Sequence, residues 1–280
     1  MVVKCRDLDV LSADTQMQRN RAAADGHWEG WVSVIVPIYN EAEHVEEVLR
    51  AIESTPVWKQ IIIVDDGSTD GTRDKLLALP PRDDLVIIFR EHNRGKGAAI
   101  RTALQYAQGE YVVIQDSDLE YDPQDYVALL QPLRDGWANV VCGVRPDWPG
   151  RALRFFLGAK LLPQMTNLLY GASIHGEGTC YKAFRRSLLS QITLACNRFE
   201  FCPEVTAKIC RMKETIAEVP ISFRPRSAAE GKNIRHSDGW LALWTLIRYR
   251  FIPRSRWIKA CGASTTVSRP HEVENASTSL

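Results

Sequence analysis

No uninterrupted apolar stretch among these 280 residues reaches the ~18–20 that a bilayer-spanning helix needs, so an ordinary transmembrane helix is not expected. Residues 1–30 are polar and lack an apolar core of signal-peptide length, which leaves export unsupported and predicts a loosely packed N-terminal tail. Neither sign of charge is in excess. Lys+Arg 35 against Asp+Glu 34 gives +1, so nothing draws the whole chain toward nucleic acid. Paired C-x-x-C spacing is also absent. Cys5, Cys142, Cys180, Cys196, Cys202, Cys210 and Cys261 sit mostly among apolar neighbours, and the cluster at 196, 202 and 210 lacks the spacing of a thiolate clamp. Reduced thiols of this kind suit the cytoplasm.

What is present is a 45% hydrophobic chain, enough for one sizeable α/β core. From Val32 onward, short Val/Ile-rich runs alternate with helical patterns. Val32–Val36, Ile61–Val64, Leu85–Phe89, Tyr111–Ile114 and Val140–Val144 read as strands buried on both faces. Between the first two, Val45, Val48, Leu49 and Ile52 form a helical stripe, with Asn40 and Glu43 spaced as a capping box. A second helix is expected to begin within 68–72. A third should follow Gly95–Gly97, burying Ala98, Ala99, Ala103, Leu104 and Ala107. The fold class is therefore α/β, with a mostly parallel central sheet flanked by helices, and ligands of such sheets bind beyond the carboxyl ends of the strands.

The chemistry-bearing motifs all fall at those ends. Asp65-Asp66-Gly67-Ser68-Thr69-Asp70-Gly71 has more carboxylates than a turn requires, which points one of Asp65 and Asp66 at a ligand with N–H or O–H donors. Asp116-Ser117-Asp118-Leu119-Glu120 alternates three carboxylates past a buried strand. On an extended segment they would converge, and hard oxygen ligands of that kind select Mg²⁺ or Mn²⁺ together with substrate phosphates. Arg94-Gly95-Lys96-Gly97 offers cations and glycines at a helix start without a full P-loop pattern, and Gly143-Val144-Arg145 adds a guanidinium.

With Val36-Pro37-Ile38-Tyr39-Asn40-Glu41 and Asn93-Arg94-Gly95-Lys96-Gly97, these motifs resemble family 2 glycosyltransferases of the GT-A fold. Asp118-Leu119-Glu120-Tyr121-Asp122-Pro123, Thr179-Cys180-Tyr181-Lys182, and Arg226 with Glu230-Gly231-Lys232 are most similar to the dolichyl-phosphate mannosyltransferase and polyprenyl-phosphate glycosyltransferase branch. The likeness covers about residues 32–251.

Length and hydrophobic content predict a single catalytic domain, residues 31–254, and the polar composition of the chain's end predicts a disordered tail at 255–280. The resemblance implies inverting transfer of a hexose from a GDP- or UDP-linked donor, with Mg²⁺ or Mn²⁺ as cofactor. Pro37, Tyr39, Glu41 and Asp66 would surround the nucleoside, while Lys96, Asp116, Ser117 and Arg145 would bind the rest of the donor. Asp116, Asp118 and Glu120 would hold the metal. Arg145, Arg226 and Lys232 would face phosphates, with Asp118, Arg226 and Lys232 carrying catalysis. One departure is His175-Gly176-Glu177-Gly178, where relatives carry an acidic segment.

A hydroxyl acceptor would need a base, for which Asp122, Glu177, Glu200 and Glu204 are candidates, whereas a polyprenyl phosphate is already anionic. Arg151 and Arg154 open an apolar stretch that Pro163 should end, suited to a membrane interface or a lipid phosphate. Trp240, Leu241, Leu243, Trp244, Leu246 and Ile247, followed by Arg248, Arg250, Arg254 and Arg256, carry the same suggestion. The expected partners are a nucleotide sugar, a polyprenyl phosphate and a membrane surface, with no nucleic-acid polymer. The expected location is the cytoplasm or the cytoplasmic face of a membrane. The alternatives are a soluble family 2 enzyme acting on a sugar or protein hydroxyl, a sugar-nucleotide pyrophosphorylase, whose Gly-rich basic signature is missing, and a non-catalytic nucleotide- or carbohydrate-binding module.

Overall fold

A computed structural model describes residues 2–4, 31–146, 153–226 and 236–259. Eight strands form one sheet in the order β1-β4-β3-β2-β5-β7-β6-β8. In chain order they are β1 (Val2–Lys4), β2 (Val32–Ile38), β3 (Lys59–Asp65), β4 (Leu85–Phe89), β5 (Tyr111–Ile114), β6 (Val140–Val144), β7 (Lys182–Arg185) and β8 (Ile216–Pro220). The pairs β2–β3, β3–β4, β2–β5 and β6–β8 are parallel, as the Val/Ile runs predict. β7 runs antiparallel between β5 and β6, and β1 runs antiparallel on the edge at β4.

Strand alternation gives the sheet two covered faces. Val34, Val36, Ile61, Ile63 and Val113 point to one side, where α1 (Val45–Glu53) and α4 (Tyr126–Arg134) pack on them. Ile35, Ile62, Val64, Val112 and Ile114 point to the other. There they meet α3 (Lys96–Ala103), α7 (Phe201–Met212) and α8 (His236–Phe251). α2 (Thr72–Ala78), α5 (Leu153–Tyr170) and α6 (Arg186–Ser190) complete the set. α1 buries the expected stripe of Val45, Val48, Leu49 and Ile52. Among the described residues no helix is long and apolar enough to cross a membrane.

Several local expectations change. The capping box does not form: His44 precedes α1 with no side-chain cap. Asn40 instead adopts φ 53, donates its backbone N–H to Ser68 Oγ, and accepts Thr69 N–H on its side chain at 2.9 Å. It ties the end of β2 to the turn after β3. Pro163 does not end a helix but lies inside α5. The lost i→i−4 bond is outweighed there by packing of Met165 and Leu169 on the core and by two 2.9 Å bonds between the Asn167 amide and Ile174.

At the termini, Val2–Lys4 pairs with Ile87–Phe89 rather than trailing free, while residues 5–30 lie outside the described residues. The packed fold also runs beyond 254. Trp257 is buried and Ile258 bridges Ile192, whereas residues 260–280 are outside the described set.

Candidate active site

β2, β3, β5 and β6 end at one edge of the sheet, and a cavity of about 570 Å³ opens there. Pro37, Tyr39, Glu41, Asp66, Lys96, Asp116, Ser117, Asp118, Glu120, Arg145 and Arg226 all line it. Lys232 and Arg151 lie outside the described residues. Arg154 falls in the first turn of α5, and its side chain is outside the described set.

The two aspartates after β3 divide their work. Asp65 is fully buried, accepts Ser68 N–H at 3.0 Å and pairs with Arg73 at 2.7 Å, so it holds the turn. Asp66 faces the cavity. Its carboxylate takes Gly95 N–H at 2.7 Å and Arg94 N–H at 3.1 Å, and pairs with Arg90 at 2.9 Å. Burial raises the Asp66 pKa, and those N–H groups and Arg90 oppose the rise. The basic loop before α3 is thus strapped to the end of β3. Gly95 (φ 96) and Gly97 then let α3 approach the 196–198 backbone. A Cβ on Gly97 would stand 2.6 Å from the Cys196 carbonyl oxygen.

Residues 116–120 are not extended. Leu119 has φ 57 and the segment turns, so the three carboxylates do not line up as alternation predicts. Asp116 forms an ion pair with Lys96. Burial opposes the Lys96 charge, but Asp116 outweighs it and holds the lysine pKa well above its ordinary value. Glu120 accepts Arg226 N–H at 2.9 Å, while its own carbonyl takes Arg224 N–H at 2.9 Å. Asp118 is pushed up to about 7, first by burial and then by the charges of Asp116 and Glu120.

Among the described residues no group of three or more His, Cys, Asp or Glu is placed to hold a metal ion. Asp116, Asp118 and Glu120 nonetheless all line the cavity, and the first two are enough for one kind of cation site. Asp116 and Asp118 are two cavity-lining carboxylates whose mutual repulsion a cation would relieve, and Mg²⁺-type ions bind through one or two carboxylates plus phosphate oxygens.

Cations close the other wall. Arg226 grips Glu41 with both terminal nitrogens, at 2.9 and 3.2 Å, and donates Nε–H to the Asp118 carbonyl at 2.7 Å. Arg145 stacks on Phe223 at 4.5 Å and bonds the Tyr121 hydroxyl, and its buried Nε has no hydrogen-bond partner. Ser117 donates to the Pro37 carbonyl at 3.3 Å, joining the ends of β2 and β5.

None of the four carboxylates considered as bases lines the cavity. Asp122 caps the turn at 123–125. Glu204 is buried against Lys208 and the amides of Ala195 and Cys196. Glu200 accepts Asn197 N–H. Glu177 is buried under the rim, with neither carboxylate oxygen partnered. Gly178 beside it does reach the cavity, and the 175–176 backbone is held by Glu218 of β8 through two 2.6 Å bonds.

Sequence reasoning missed Arg198 and Phe199, which form part of the cavity rim. They lie about a hundred residues after the motifs they face, and no local pattern marks them.

A largely parallel sheet with an acidic and basic cleft beyond its strand ends is the architecture of a GT-A glycosyltransferase domain. The chain belongs to glycosyl transferase family 2, whose family model matches residues 33–193.

Undecaprenyl-phosphate 4-deoxy-4-formamido-L-arabinose transferase of Pseudomonas aeruginosa is 28% identical over 207 residues, covering 72% of this chain and 60% of that protein. Glycosyltransferase AglJ of Haloferax volcanii is 27% identical over 208 residues, covering 72% and 66%. The chain thus spans about 60% of the first of these relatives. Among solved structures, glucosyl-3-phosphoglycerate synthase from Mycobacterium tuberculosis, in complex with Mn²⁺, UDP and phosphoglyceric acid, shares the fold with a TM-score of 0.65. It is 22% identical, over 85% of this chain and 83% of that one. The same enzyme has also been solved with Mg²⁺ and UDP.

Proposed function

We propose that this chain is a metal-dependent, inverting glycosyltransferase that moves a hexose from a nucleotide-diphosphate donor to a polyprenyl phosphate at a membrane surface. One observation carries the reading. Asp116, Asp118, Lys96, Arg145 and Arg226 surround one cavity, while Asp122, Glu177, Glu200 and Glu204, the carboxylates considered as bases for a hydroxyl acceptor, are not among its lining residues.

Displacing a nucleoside diphosphate requires its growing negative charge to be neutralised. Mg²⁺ or Mn²⁺, held by Asp116 and Asp118, would supply Lewis-acid neutralisation of the diphosphate. Arg145 offers an unpartnered Nε–H for a phosphate oxygen, and Lys96 keeps a second positive charge beside Asp116. Tyr39, half exposed at the lip, offers a ring face to the base, and the Glu41–Arg226 fork holds the guanidinium in one orientation. A phosphate acceptor brings its own negative charge and needs no proton removed. Relatives named as undecaprenyl-phosphate transferases favour that acceptor over a hydroxyl, and UDP in the solved M. tuberculosis enzyme favours a uridine donor over GDP.

The test is a thermal-shift screen of UDP- and GDP-sugars with and without Mn²⁺, followed by transfer of radiolabel into an organic-extractable product with polyprenyl phosphate. Expected are a metal-dependent shift, its loss in Asp118→Asn, and labelled lipid. No metal-dependent shift with any nucleotide sugar would sink the donor reading, and label appearing only in water-soluble product would sink the acceptor reading.

A further inference from the structure

α8 is apolar on two sides. One side is spoken for: Ala242, Thr245, Leu246 and Tyr249 are buried against the core. The other is not. Trp240 is 73% exposed, Trp244 60% and Phe251 76%, and spacings of four and seven residues put them within about 40° of one another around the helix. A soluble helix presents a polar outer face, so three large aromatics on one exposed stripe call for an occupant.

The charge around the stripe says which. Between Gly239 and Lys259 the chain carries Arg248, Arg250, Arg254, Arg256 and Lys259 and no acid, although the whole chain is only +1. All five are exposed. Arg250 also donates Nε–H to the Leu169 carbonyl at 2.9 Å, which brings the 78% exposed Leu168 of α5 alongside. A second copy of this chain would set five positive charges against five, which disfavours a dimer through this face. Tryptophan beside arginine is the composition that settles at the boundary of headgroups and acyl chains.

We propose that the outer face of α8, carried by Trp240, Trp244, Phe251 and the flanking arginines, docks on an anionic lipid bilayer. The same helix reaches the catalytic cleft. Asp238 in its first turn pairs with Arg198 at 3.6 Å, and Arg198 and Phe199 form the cavity rim. Docking therefore brings the rim to headgroup level, where a lipid-linked phosphate meets Arg198 without leaving the membrane. This deepens the lipid-acceptor reading and rests on it for its purpose, although the surface itself can be tested without any transfer.

The experiment floats the full chain with phosphatidylcholine vesicles, with and without phosphatidylglycerol. It compares wild type with a Trp240→Ser/Trp244→Ser/Phe251→Ser variant and an Arg248→Gln/Arg254→Gln/Arg256→Gln variant. Wild type should bind the anionic vesicles, far more weakly without phosphatidylglycerol. Each basic residue near an anionic surface contributes about fivefold, so the arginine variant should lose roughly a hundredfold in partitioning, and raised salt should mimic it. The aromatic variant should lose at least tenfold. Both should keep the nucleotide-induced thermal shift, which shows that they are folded.

Wild type that stays off anionic vesicles overturns the proposal. So does binding untouched by the aromatic changes, or an aromatic variant that turns a dimer into a monomer. Vesicle binding without labelled lipid leaves the surface standing and removes the lipid acceptor, while labelled lipid made in detergent by a chain that binds no vesicle does the reverse.

Discussion

Glu177 offers a sharp test of the packing beneath the cavity rim. It is fully buried, neither carboxylate oxygen has a hydrogen-bond partner, and burial pushes its pKa from an ordinary 4.5 up to about 7. The charge of Lys182 pulls the value back only in part. Because the folded state holds this proton more tightly than the unfolded chain, the stability it contributes is full below about 4.5 and is lost as pH rises through about 7. At ~1.4 kcal/mol per pKa unit, the cost at pH 8 is about 3 kcal/mol, and at pH 5 it is below ~1 kcal/mol. Glu177→Gln keeps the shape and removes the titration. In a domain of this size ~3 kcal/mol corresponds to about 5–10 °C in Tm. Thermal unfolding of the two proteins from pH 5 to 8 should show curves that nearly meet at pH 5 and separate by that amount at pH 8, with the variant above. Parallel curves, or a variant less stable than wild type at pH 8, would refute the reasoning.

Arg226→Lys keeps the charge but cannot grip Glu41 with two nitrogens while donating to the Asp118 carbonyl, so kcat/KM for transfer should fall roughly a hundredfold. A lysine variant within threefold of wild type in steady-state assays would remove the fork from the reading. Gly97→Ala places a Cβ 2.6 Å from the Cys196 carbonyl oxygen and 3.0 Å from that of Arg198, an overpacking that should cost about 1–3 kcal/mol. The nucleotide-sugar KM should rise with it, since the displaced backbone carries the Arg198–Phe199 rim, and an unchanged Tm would show that the contact yields easily.

The parts of the fold legible in the sequence are those whose cause is local. Leu85–Phe89, Tyr111–Ile114 and Val140–Val144 are strands at the bounds their apolar runs predict, because a strand buried on both faces must be apolar at every position. β7 escaped that logic. Lys182-Ala-Phe-Arg has a lysine at its buried start, and its antiparallel place between β5 and β6 depends on partners forty to seventy residues upstream. Pro163 misled for a related reason: its helix-ending tendency is local, and the packing that overrides it comes from other elements.

The site shows the same division at finer scale. Motifs that end parallel strands converge whatever the loops do, so Pro37, Asp66, Asp116 and Arg145 share a cavity because β2, β3, β5 and β6 share a direction. Which carboxylates face one another is set by single dihedrals. A left-handed Leu119 breaks the alternation after Asp118, and Glu120 then braces the returning chain at Arg224 and Arg226, aided by the Tyr121–Phe223 bridge. That turn separates two roles that the sequence presents as one acidic run. Asp116 and Asp118 face the cavity as a pair, and Glu120 holds the Arg226 backbone on the wall opposite them. Asp118 and Arg226 are therefore coupled through a backbone carbonyl as well as through charge, so removing either side chain should disturb the other's geometry, and their effects on transfer should not add.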